Sequence, residues 1–320
     1  MASYHFSAKI IGRSDGRSVV AAAAYRAGTR IERAETGDCP DYTRKGGVVS
    51  ADLLTPDDVP KWAQDRAQLW NAVEAVETRK NSQLAREIEL ALPNELSAED
   101  ARKLALTWAQ DQLVSRGMVA DVCIHDPEPV PGVSRNRHAH ILCTVRGFDC
   151  DGWSKTKDRS WNDKALLEHW RESWADAQNV ALERAGCADR VDHRSLEVQH
   201  QAALDAGDMA RAHILDRPPE PVLGVAASAQ EKRARLRANR LGAEYKPVTQ
   251  RGRALERSRG LRATLLDAWD LVRAAARNLV AAPVKIENLF EPSRSSHEEL
   301  SSAPPEDAPE DSNDWSPGFG

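Results

Sequence analysis

Two short runs constrain this chain most: 118–125 (MVADVCIH) and 138–145 (HAHILCTV), separated by twelve residues that include three prolines and a glycine. Each run is too short, and too rich in β-branched and apolar residues, to be a core helix. The loop of a dozen residues between them, broken by prolines, lets the two runs pair as antiparallel strands, and that pairing is expected. A third run, 84–92 (LAREIELAL), alternates and stops at Pro93, which reads as another strand. Residues 4–12 alternate large and small side chains before the turn-like Arg13-Ser-Asp-Gly16, giving a fourth.

Helical spacing fills the intervals. Ser18 to Gly28 is alanine-rich, with Ser18 able to cap its start and Gly28 its end. Residues 60–77 carry Trp62, Leu69, Trp70, Val73 and Val76 at helical intervals, and 97–114 opens on a Ser-x-x-Asp cap. Residues 165–185 form a long amphipathic helix closed by Gly186, and 200–214 a further one. The 30–47 segment reads as an irregular loop with a short hairpin. Strands and helices do not alternate steadily. The expected class is α+β, an antiparallel or mixed sheet with helices on one face rather than a doubly wound fold.

The net charge of −5 conceals blocks. Residues 231–277 hold 13 basic and 5 acidic side chains, whereas 286–320 hold one arginine and nine acids. The first block implies an electrostatic partner, a solvated helix face or masking by the second. Arg217-Pro-Pro-Glu-Pro221 marks a boundary, so the expected division is a domain over 1–216, a basic helical extension over 217–282 and a disordered acidic tail over 283–320. No apolar run approaches the ~20 residues that span a bilayer, and the start lacks a secretory pattern. The five cysteines form no CxxC pair, as expected of reduced thiols in a cytoplasmic protein.

The chemistry concentrates in few residues. His138 and His140 are two apart on a strand and so share a face. His125 ends the preceding strand, and antiparallel pairing brings it towards them. Three such imidazoles suit a divalent ion with positions left open, although surface histidines also occur at this spacing. Glu87 and Glu89 share one face of their strand. A solvated face explains them, as does a carboxylate aimed at the histidines as a base or an orienter. Tyr25 is one of four tyrosines and is bulky for its alanine-rich helix, so it either packs on the sheet or acts as a nucleophile. The basic residues Arg26, Arg44, Lys45, Arg79, Lys80, Lys155 and Lys157 lie in or beside these elements and would track a phosphate backbone. Trp153 and Trp161 would either stack on bases or pack in the core.

Several collinear blocks carry a resemblance. They are YHFSAKIIGRSDGRSVVAAAAYRAG, LAREIELALP, GMVADVCIHDP, RHAHILCTVR, WADAQNVALERAG and RVDHRSLE, with a weaker echo at LGVAA. Together they resemble the MobA/MobL family of conjugative relaxases, in the MobQ class of HUH endonucleases, over roughly residues 1–200. The resemblance implies a central antiparallel sheet flanked by helices, with the HxH strand at its centre. It implies Tyr25 as the nicking residue that forms a 5′-phosphotyrosine bond at a transfer origin. It also implies a divalent metal (magnesium or manganese) on His125, His138 and His140, and Glu87 as a candidate general base. The implied partners are single-stranded and transfer-origin DNA, relaxosome accessory proteins and a type IV secretion coupling protein. Two departures stand out: a longer 126–137 loop and an apparent insertion at 201–218. A rolling-circle replication initiator of the same superfamily and a non-enzymatic DNA-binding module are the competing readings.

Overall fold

The computed structural model describes residues 2–130, 135–149 and 152–281. The four expected strand segments become β1 (Phe6–Gly12), β3 (Gln83–Ala91), β4 (Ala120–His125) and β5 (His138–Thr144), joined by a further strand, β2 (Val48–Leu54). They form one sheet in the order β1-β3-β5-β4-β2 with every neighbour antiparallel. The HxH strand β5 is central, and its register against β4 sets His125 opposite His138 and Cys123 opposite His140. A two-stranded ribbon, β6 (Phe148–Asp149) and β7 (Gly152–Trp153), lies apart.

Helices cover both faces of the sheet, not one. Ile88, Leu90, Val122, Ile124, Ala139 and Ile141 point to one side, where they meet Trp108 of α3 (Ala98–Gln112) and Trp170 and Trp174 of α4 (Lys164–Arg184). Ile11, Ala85 and Leu142 point to the other, against Val19, Val20, Ala23 and Ala24 of α1 (Val19–Ala27) and Leu69 and Trp70 of α2 (Arg66–Val76). β5 contributes Ile141 to one core and Leu142 to the next, so it needs cover on both sides. Each such buried side chain contributes roughly 1.5–3 kcal/mol. The buried Asp121 of β4 holds α2 in place, accepting from Arg66 at 2.8 and 2.9 Å and from Trp70 Nε1 at 3.0 Å.

Other differences from the sequence expectation are local. β2 went unpredicted because VVSADLL is an edge strand whose residues are nearly all half-buried, with no clean alternation. The 60–77 helix splits at Asp65, whose side chain caps α2 at Gln68 N. The 200–214 helix is two, α5 (Leu196–Asp205) and α6 (Met209–Leu215), parted at Gly207 with φ 69°. Two helices follow, α7 (Val225–Arg240) and α8 (Gln250–Ala281). The buried Glu231 of α7 accepts from Tyr245 Oη at 2.6 Å and from Thr249 N at 2.7 Å, which caps the start of α8. Residues 1–266 group as one unit and those from 267 as another. The expected acidic tail, 283–320, lies outside the described residues. No helix among the described residues is long and apolar enough to cross a membrane.

α1 is short, yet both ends are fixed. Ser18 accepts from Ala21 N, and the buried Glu74 accepts from Val19 N at 2.8 Å and from Ser18 Oγ at 2.7 Å, placing negative charge at the helix start. Gly28 ends the helix at φ 63°, and a Cβ there would meet Val48 Cγ2 at 3.1 Å. Gly28→Ala should therefore cost about 1–2 kcal/mol. Urea denaturation of the metal-free protein measures it; a neutral result would mean that the turn relaxes freely.

Candidate functional site

The site forms where the apolar pattern of the α1/α2 face gives out. At that end of the sheet β5 and β4 present His138, His140 and His125. Ring centroids are 5.3 Å apart for His125–His138, 4.9 Å for His125–His140 and 5.0 Å for His138–His140. One ring nitrogen of each lies within 4.8 Å of the others, so the cluster can hold a metal ion.

The hydrogen bonds fix which nitrogen each ring offers. His125 Nε2 is 2.7 Å from the Arg26 carbonyl, and His138 Nδ1 is 2.8 Å from the Asn136 carbonyl. A carbonyl can only accept, so both of these nitrogens carry the proton. His140 Nδ1 faces the Glu87 carboxylate at 3.1 Å and donates likewise. The nitrogens left to meet an ion are then His125 Nδ1, His138 Nε2 and His140 Nε2. Orienting a ligand ring through its second nitrogen is the usual device of metal sites. Burial, reinforced by the Lys45 charge, depresses His125 to about 4, and burial lowers His138 as well. Depressed values keep these two rings neutral, the form that binds metal.

Glu87 ties the cluster to α1. It accepts from Arg26 Nε at 3.0 Å, from Arg26 Nη2 and from His140. Burial alone would raise its carboxyl, but the His140 hydrogen bond and the Arg26 charge outweigh burial and hold it at about 2. Glu89 faces His140 in the β3–β5 register.

Tyr25 sits in the last turn of α1, 47% exposed. The final carbonyls of a helix lack intrahelical partners. Here two of them accept from the site: the Tyr25 carbonyl from Lys45 Nζ at 2.9 Å, and the Arg26 carbonyl from His125. The helix that carries the tyrosine is thereby joined to the histidine cluster, with its electron-rich end facing it. Lys45 Nζ also lies 3.7 Å from the Tyr25 ring centroid, and Tyr42 meets that ring edge-on at 5.2 Å.

The structure brings together Tyr25, Arg26, Lys45, Glu87, His125, His138 and His140. Arg44 is exposed in the neighbouring 30–47 loop. Arg79, Lys155 and Lys157 are elsewhere, lining an open groove of about 690 Å³ with Arg86 and Arg146; Lys80 is exposed in the same loop as Arg79. That groove runs along β3 from Gln83 to Arg86, whose side chain points to the face opposite that of its neighbour Glu87. Arg79 and Lys80 thus lie in the loop that leads into β3, the strand that carries Glu87. Two of the seven basic candidates pair with carboxylates: Arg26 binds Glu87, and Lys157 binds the buried Glu77 at 2.9 Å beside Arg146. Trp161 is core, and Trp153 stacks on Phe148 at 4.5 Å. The Arg26–Glu87 pair and the Lys45 contacts went unforeseen, because each joins residues more than 15 positions apart with no periodic signal.

A family model described as the MobA/MobL family matches residues 17–233. Mobilization protein MobL of Acidithiobacillus ferridurans is 36% identical over 310 residues, covering 86% of this chain and 78% of its own length. Conjugal transfer protein TraA of Agrobacterium fabrum is 34% identical over 264 residues, covering 73% of this chain but 22% of TraA. A solved structure described as "Molecular Basis of Vancomycin Resistance Transfer in Staphylococcus aureus" aligns at 36% identity with a TM-score of 0.56, over 61% of this chain and 100% of that one.

Proposed function

This chain belongs to the MobA/MobL family, and from that premise we propose that it is a DNA relaxase of the MobQ class of HUH endonucleases, nicking one strand at a plasmid transfer origin to begin conjugative mobilisation. The observation that carries the reading is the half-exposed Tyr25 on a helix whose last carbonyls hold His125 and Lys45.

In the proposed step Tyr25 Oη attacks the scissile phosphorus. The Oη–P bond forms, the bond from phosphorus to the 3′ oxygen breaks, and the phenolic proton leaves as the 3′ oxygen takes one up. The DNA 5′ end stays on the protein as a phosphotyrosine, and the free 3′-hydroxyl can reverse the step. A divalent ion, magnesium or manganese, held by His125 Nδ1, His138 Nε2 and His140 Nε2 would neutralise a non-bridging phosphate oxygen. Of the two roles open to Glu87, orienting His140 and Arg26 is favoured over accepting the phenolic proton, because a carboxylate held at about 2 is a weak base.

Arg44 beside the tyrosine, and Arg79, Lys80 and Lys155 along the other loops, would contact backbone phosphates. The basic extension, 217–282, would add sequence-independent affinity beyond the 1–216 nicking domain. Accessory proteins, a secretion coupling protein and a cytoplasmic setting belong to the same reading. The test is incubation with manganese and a supercoiled plasmid carrying the origin. A nicked circle with protein on its 5′ end is expected; a double-strand break, or binding without cleavage, would refute the proposal.

A further inference from the structure

Lys45 is half-buried, yet it has no carboxylate partner among the described residues. Its ammonium donates to the Tyr25 carbonyl at 2.9 Å and lies 3.7 Å from the centroid of the Tyr25 ring. His125 Nε2 is 3.4 Å away but donates its own proton to Arg26, so it cannot also accept from Lys45. The Tyr25 ring and carbonyl are thus the electron-rich groups the ammonium contacts directly, with the Cys123 thiol nearby. Tyr42 closes on the same ring edge-on, at 89°. A half-exposed tyrosine is therefore held on one face and at one edge.

Withdrawing an ammonium from water without a counter-ion is unfavourable. A simple phosphate contact would need no such placement, since a lysine in open solvent reaches DNA as well. A cation over an aromatic face is attracted by the ring's quadrupole. That attraction grows as negative charge spreads from the oxygen into the ring. We propose that Lys45 is a positioning residue for Tyr25: clamped to the Tyr25 carbonyl, its ammonium fixes the ring for attack and stabilises the negative charge that Oη develops as the phenolic proton leaves, before the Oη–P bond takes that charge up.

The inference rests on Tyr25 being the nucleophile, which adduct mass spectrometry of the wild type establishes separately. The kinetic test is single-turnover cleavage of a short single-stranded oligonucleotide spanning the nick, with manganese. Lys45→Met keeps the aliphatic stem and should lower the cleavage rate constant about tenfold to thirtyfold, the rate equivalent of a desolvated cation–π contact. The KM should change less than about twofold. Lys45→Gln keeps a donor for the Tyr25 carbonyl and removes only the charge, so it should lose as much. Lys45→Arg should recover most of the rate, because a guanidinium also sits on aromatic faces. A raised KM at unchanged rate constant would make Lys45 a phosphate contact and overturn the proposal. An arginine variant no faster than the methionine one would overturn it too, as would an adduct on any residue but Tyr25.

Discussion

Replacing Tyr25 by phenylalanine leaves a folded protein that binds metal and DNA as before but makes no nick and no covalent adduct. α1 is anchored by Val19, Val20, Ala23 and Ala24, which are fully buried, and not by the phenol. The ring keeps its contacts with Lys45 and Tyr42 when the hydroxyl goes. No hydrogen bond from Tyr25 Oη exists among the described contacts, so stability should change by less than about 0.5 kcal/mol. The other tyrosines compete poorly. Tyr4 Oη donates to the Arg171 carbonyl at 2.9 Å, and burial drives its pKa upward. Tyr245 Oη donates to Glu231, and burial together with that carboxylate pushes it up to about 12. Tyr42 is the remaining alternative. Tryptic digestion after reaction with an origin oligonucleotide locates the linkage; a peptide–DNA adduct on Tyr42, or full nicking by Tyr25→Phe, would sink the assignment.

How much of this was legible beforehand follows from the range of each interaction. Strand β3 announces itself through alternation and a bounding proline, and β4 and β5 through short runs rich in β-branched and apolar residues, all of them local signals. The approach of His125 to His138 is legible from a loop of a dozen residues that lets the two strands pair antiparallel. The ends of α1 are written in Ser18 and Gly28. The edge strand β2 was not readable, because a strand whose residues are mostly half-buried has no face to declare. The second helical layer was also hidden in part. β5 reads HAHILCT, and only the placement of α1 and α2 shows that Leu142 is covered as fully as Ile141. Among the site residues, residue type suggested the three histidines and Tyr25. The side-chain links that hold them, Arg26 to Glu87 and Lys45 to Tyr25, depend on packing between distant elements. Charge alone made Arg26, Lys45 and Lys157 look like phosphate contacts. The carboxylate beside Arg26 and Lys157, and the ring beside Lys45, are contacts that charge alone does not announce.

Substituting the histidines separates metal binding from folding. His138→Ala and His140→Ala should each lower manganese affinity at least about a hundredfold, since even the residues that merely orient a ligand are worth about ten- to a hundredfold. Glu87→Gln tests that lesser class: it keeps the shape at His140 but weakens the acceptor, so its loss should fall within that lower range. The sheet should survive all three changes, because its register is set by Ile88, Leu90, Val122, Ile124 and Ile141 on the opposite face. Acid provides an independent check on the metal-free protein. His125 is held at about 4 against an unfolded value of about 6.5. The unfolded chain therefore takes up a proton first as pH falls, and this ring's contribution to stability is present above about pH 6.5 and lost progressively towards pH 4. His125→Ala should make stability less dependent on pH across that window. Calorimetric titration with manganese and urea melts from pH 7 to pH 4 measure both effects. Equal manganese affinity in wild type and in both histidine variants would mean that the three rings meet without serving as a metal site.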